Sequence, residues 1–136
     1  MRQKLIQVVF CFDWRQEKID AKSTLKELCD NYENCRDDLV SFGERALENI
    51  LKNLPEIKKI IERLAPEWPL EKIFKIDKAL LYVGIGEMMN PSDDLNYPMI
   101  INEYVDLAKE FSGGNSPRFI NGVLNSAKKE FEKSDK

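Results

Sequence analysis

Apolar residues recur at three- and four-residue steps through most of the chain, the spacing of one buried face of an α-helix. From Asp38 to Leu64 the series Leu39, Gly43, Ala46, Leu47, Ile50, Leu51, Leu54, Ile57, Ile60, Ile61 and Leu64 recurs at three- and four-residue steps. Pro55 falls inside it, and Asn53 with Glu56 three positions on resembles a capping box. The pattern therefore predicts one helix ending near Leu54 and a second beginning there. Pro66 and Pro69 bracket Trp68 and mark the next break. Beyond them Leu70, Ile73, Phe74, Leu80 and Leu81, running on to Met88, predict a helix of about five turns. Gly84 and Gly86 inside it point to close packing by another helix, because small residues let two backbones approach.

Residues 90–96 (NPSDDLN) form a turn cluster, and Pro98 opens a further amphipathic segment through Ile100, Ile101, Tyr104, Val105, Ala108 and Phe111. It stops at Gly113 and Gly114. The last helix is expected to start with Ser116 as N-cap and Pro117 at the first helical position, and to bury Phe119, Ile120, Val123, Leu124, Ala127 and Phe131. The opening run LIQVVFCFDW at 5–14 suits a strand or a helix by itself. The chain offers no second strand to pair with it, so helix is the consistent reading. With a weaker helix between Ser23 and Asn34, the chain reads as an all-α fold of about seven helices joined by short connections. Its 136 residues fit a single domain over 1–136.

Composition narrows the function classes. With 43% hydrophobic and 33% charged residues the chain can both bury a core and coat it, which excludes disorder. The absence of histidine removes the commonest general base and the commonest metal ligand together. No GxSxG or GxxxxGK[ST] frame occurs, and the GIG at 84–86 lacks the strand of a dinucleotide site. The acid pairs Asp37–Asp38 and Asp93–Asp94 suit solvated surface. No enzyme, cofactor or metal site is expected. Cys11, Cys29 and Cys35 form no CxxC and read as small reduced hydrophobes. The apolar N-terminus is too short to span a membrane and has no cleavage site, so a cytoplasmic location is expected.

One short stretch carries a signal of its own, Gly113-Gly114-Asn115-Ser116-Pro117-Arg118. A glycine loop entering a helix N-terminus offers unpaired N–H groups and the positive end of the helix dipole, to which Arg118 adds a full charge. An ordinary capped loop explains the same residues. The formal net charge is -3, which excludes a globally basic protein, yet the charge is unevenly spread. Residues 1–15 carry a net +2, residues 118–136 a net +2, and residues 26–48 a net -4. If the first helix and the start of the last lie side by side, their basic groups form one anion-attracting face. Phe119 then offers a ring for an unpaired base, or simply a core aromatic.

INEYVDLAKEF at 101–111 followed by NSPRFINGVL at 115–124 resembles the signature of the NusB family of bacterial transcription antitermination factors. IDKALLYVGIGEMM at 76–89 is similar to a core helix of that family, and the N-terminal helix to its opening one. The resemblance implies a NusB-like all-α fold of two small helical subdomains. It further implies binding of boxA-type single-stranded RNA with the ribosomal protein NusE, within an RNA polymerase antitermination complex acting in ribosomal RNA operons. Mapped onto this chain, the RNA face falls on Arg2, Gln7, Asn115, Arg118 and Phe119, and the NusE-facing surface includes Glu71 and Asp77. Some relatives pair as homodimers over the RNA face, an arrangement the resemblance leaves open. Relatives usually open with several arginines, whereas here only Arg2 and Lys4 stand near the start, and Tyr82 and Gly86 replace an arginine and a tyrosine. The alternative is a NusB-like protein-interaction module with weak or lost RNA binding.

Overall fold

The computed structural model describes residues 2–14, 37–91 and 95–134. Among them run five α-helices: α1 (Arg2–Trp14), α2 (Asp37–Leu64), α3 (Lys75–Met89), α4 (Tyr97–Phe111) and α5 (Ser116–Ser134), with a 3-10 turn at Leu70–Lys72 between α2 and α3. No strand occurs among the described residues, and the opening run is helical with Leu5, Ile6 and Val9 buried. The weaker helix expected between Ser23 and Asn34 lies outside the described residues. So do Cys29, Cys35, the Asp93–Asp94 pair and the side chains of Cys11, Asp37 and Asp38.

Helix α3 is the axis of the fold and packs against each of the other four. A helix enclosed on all sides has no polar face to keep, which is why Ala79 through Gly86 are buried without interruption. Its two glycines sit where neighbouring helices come closest. A Cβ at Gly84 would lie 3.3 Å from the Tyr104 ring and 3.5 Å from Leu124, and one at Gly86 would lie 2.7 Å from Cγ1 of Ile50. Each glycine costs about 1 kcal/mol of helix propensity relative to alanine. The approach of α2, α4 and α5 offsets that cost with one contiguous core drawn from all five helices.

Two boundaries differ from the sequence pattern. Pro55 lies inside α2 and does not divide it. Its ring is on the exposed side, while Leu47, Ile50, Leu54, Ile57 and Ile61 hold one buried stripe across it. The Asn53 side chain donates to the Asn49 carbonyl at 2.9 Å, so it supports the preceding turn and caps nothing. Continuous burial along the stripe outweighs the hydrogen bond that proline removes, roughly 3 kcal/mol. The helix expected from Leu70 begins only at Lys75. Ile73 and Phe74 are extended, which turns Ile73 into the core and leaves Phe74 73% exposed. Helix α4 starts as its sequence suggests, with the Asn96 side chain accepting from the Met99 N–H at 3.0 Å and Pro98 in the first turn.

Candidate nucleic-acid interface

The connection between α4 and α5 is built by two left-handed glycines, Gly113 at φ 70° and Gly114 at φ 57°. Nothing crowds their Cβ positions, so backbone conformation and not space demands glycine. The Ala108 carbonyl accepts both the Ser112 and Gly113 N–H groups at 2.9 Å, ending α4. The Asn115 carbonyl accepts the Phe119 N–H at 3.1 Å, beginning α5. Ser116 was expected to cap this helix, yet it is a helical residue whose hydroxyl is used elsewhere.

That hydroxyl donates to Oδ2 of Asp77 at 2.9 Å, and the Ser112 hydroxyl donates to Oδ1 of the same carboxylate at 2.9 Å. Asp77 is 3% exposed in the first turn of α3, where the helix dipole favours a negative charge. One buried acid therefore ties both flanks of the glycine loop to the central helix. This corrects the assignment of Asp77 to a partner-facing surface, because both its oxygens point inward and are bonded. Glu71, its companion in that assignment, is exposed on the 3-10 turn.

The anchored loop forms one wall of an open groove of about 810 Å³. Asn115, Arg118 and Phe119 line it together with Trp68, Lys72, Phe74 and Phe111. Trp68 meets Phe119 edge to face, with ring centroids 6.4 Å apart and planes at 70°. Phe119 is half-buried against the core, so the groove and core readings of this ring both hold in part. Arg118 and Asn115 are exposed. Sequence spacing gave no sign of Trp68, Lys72, Phe74 or Phe111 at this site. The nearest signal was an aromatic between two prolines, a position that a helical pattern does not require.

Arg2 lies elsewhere. Its Nε and Nη2 groups donate to the two oxygens of Glu87, near the C-terminal end of α3, and the Tyr104 hydroxyl donates to Glu87 Oε2 at 2.6 Å. The hydrogen bonds it donates to Glu87 hold the Arg2 guanidinium above its ordinary pKa. Burial, followed by the Glu87 charge, pushes the Tyr104 phenol well above the ordinary tyrosine value. Asp77 and Glu87 are ten residues apart on α3, about 15 Å along its axis. Arg2 and the α5 start are thus anchored near opposite ends of the central helix. The basic groups do not merge into a single patch, because α1 packs on α3 and makes no comparable contact with α5. Gln7 is exposed on α1.

A family model described as the NusB family matches residues 1–129. The chain belongs to the NusB family. It is 37% identical over 100 residues to the transcription antitermination protein NusB of Thermodesulfovibrio yellowstonii, a match spanning 74% of this chain and 66% of the relative. With the NusB of Acetivibrio thermocellus the identity is 38% over 112 residues, spanning 82% and 72%. The fold is similar to that of Thermotoga maritima NusB, with a TM-score of 0.85 at 25% identity over 95% of this chain and 88% of that one. It also matches a NusB-type chain from a complex of the antitermination factors NusB and NusE with double-stranded RNA, with a TM-score of 0.81 at 20% identity over 95% and 93%.

Proposed function

We propose that this chain is a non-catalytic transcription antitermination factor that binds boxA-type single-stranded RNA together with NusE. It joins the RNA polymerase antitermination complex in ribosomal RNA operons and acts in the cytoplasm. The observation that carries this reading is the convergence of Asn115, Arg118 and Phe119 with Trp68 in one open groove at the N-terminal end of α5. Such a groove suits an unpaired strand. Exposed aromatic faces take bases, while a cation and a helix N-terminus take phosphates. Arg2 and Gln7 extend the same reading along α1. No described helix is long and apolar enough to cross a membrane.

On this reading NusE meets Glu71 on the 3-10 turn, an exposed acid suited to a basic partner, and Phe74 shortly after it, whose largely exposed ring serves as an apolar anchor. Photocrosslinking of iodouracil-substituted boxA RNA tests the assignment. Adducts on the peptides holding Trp68 and Asn115–Phe119 are expected, and adducts confined to other surfaces contradict it.

A further inference from the structure

We infer that Glu87 is a positioning residue that presents the Arg2 guanidinium to an RNA phosphate, with Tyr104 fixing Glu87 from behind. The inference rests on the RNA-binding reading above and adds two residues to it. Glu87 takes the Nε–H at 3.0 Å and an N–H of Nη2, which is a side-on grip on the guanidinium. A side-on grip leaves the outer Nη1–Nη2 edge of the fork, the edge that pairs end-on with two oxygens of one phosphate. The two bonds to Glu87 use Nε and one N–H of Nη2 and so do not themselves occupy that edge. The Arg2 side chain is 31% exposed and that of Glu87 19%, so the arginine is the more accessible member of the pair.

The carboxylate is itself held. Tyr104 is fully buried on α4, and its hydroxyl reaches Glu87 Oε2 at 2.6 Å. Three helices, α1, α3 and α4, therefore converge on one carboxylate, and Arg2 is ordered in advance at the end of a cleft of about 590 Å³ that Arg45 and Asn49 also line. An arginine with a flexible stem loses rotamer freedom when it binds; one already clamped has little left to lose. The cost is charge, since Glu87 neutralises part of the field that attracts phosphate.

These two effects predict opposite signs for one substitution, which makes the inference testable. A fluorescent boxA-type single-stranded RNA is titrated with the full chain, Arg2→Ala, Glu87→Gln and the double variant, over a range of salt concentrations. Arg2→Ala is expected to weaken binding and to reduce the slope of log K against log salt by about 0.7. Glu87→Gln removes a negative charge and is nevertheless expected to weaken binding about three- to tenfold, with the double variant no weaker than Arg2→Ala alone. Tyr104→Phe, which keeps the ring, is expected to shift affinity in the same direction as Glu87→Gln, and provides the reading if the latter folds poorly. Tighter or unchanged binding by folded Glu87→Gln or Tyr104→Phe, or additive losses in the double variant, overturns the positioning role while leaving the RNA reading intact. Equal binding by the wild-type chain and Arg2→Ala removes Arg2 from the RNA face and overturns the inference alone, whereas no binding by the wild-type chain overturns the RNA reading with it.

Discussion

Asp77 on α3 and Ser116 on α5 are joined by a 2.9 Å hydrogen bond inside the protein, and Ser112 completes the clamp from the end of α4. The glycine loop thereby takes its position from the most buried helix of the fold and not from its own short sequence. Removing the acid leaves the buried Ser116 hydroxyl and the part-buried Ser112 hydroxyl without their partner. Asp77→Ala is expected to cost ~1 to 3 kcal/mol in a urea melt, with Ser116→Ala at the low end of that range. A change within ~0.5 kcal/mol, the ordinary surface range, contradicts the clamp.

Gly86 on α3 faces Ile50 on α2 without room for a methyl group. Gly86→Ala is expected to destabilise by ~1 to 3 kcal/mol, because its new methyl meets Ile50 Cγ1 at 2.7 Å. In an Ile50→Ala background the same methyl enters vacated space and recovers helix propensity, so its effect shrinks or reverses. Additive melting data for the double variant contradict this packing.

Arg118 is exposed and lines the groove. Arg118→Ala is expected to weaken RNA binding, lower the salt slope by about 0.7 and leave the thermal melt unchanged. Phe119→Ala behaves differently, because this ring serves the core as well as the groove. Both its melting temperature and its RNA affinity are expected to fall. An Arg118→Ala variant with wild-type affinity and slope contradicts the phosphate contact.

In the proposed arrangement Phe74 and Glu71 face NusE, so their variants test the partner apart from the RNA. Phe74→Ala is expected to change stability by less than ~0.5 kcal/mol, since the ring is largely exposed, while costing ~1 to 3 kcal/mol of NusE affinity. Glu71→Lys reverses a charge facing a basic partner and is expected to slow NusE association most at low salt. Wild-type NusE affinity in both variants places the partner on another surface.

The phenol of Tyr104 titrates above the ordinary tyrosine value of 10.0 in the folded protein, through burial and the adjacent Glu87. The folded state therefore holds this proton more tightly than the unfolded chain does. The resulting stability is fully present below about pH 10 and is lost as the pH rises through the folded value. Melting temperature should fall more steeply above about pH 10 in the wild-type chain than in Tyr104→Phe. Parallel curves contradict the burial of an ionisable phenol.

The helical periodicity alone revealed most of the fold, because the amphipathic stripes of α2, α4 and α5 are long enough to be unambiguous. It also read the GIG of α3 correctly as a packing site. Pro55 misled it, since a local breaker was weighed without the buried stripe running across it. The α5 start was legible because the glycine pair and Pro117 act locally, although Ser116 is helical and bonds Asp77 where a cap was expected. Trp68 at the groove, Asp77 behind the loop and Glu87 behind Arg2 were not. Each acquires its role from a partner distant in sequence, at Phe119, Ser116 and Arg2, and no periodicity encodes such pairings.

The most direct test of RNA recognition is a titration of labelled boxA-type single-stranded RNA against a scrambled strand, with and without NusE, at two salt concentrations. Selective binding of boxA that NusE strengthens is the expected result. Equal, weak binding of both strands with or without NusE contradicts it.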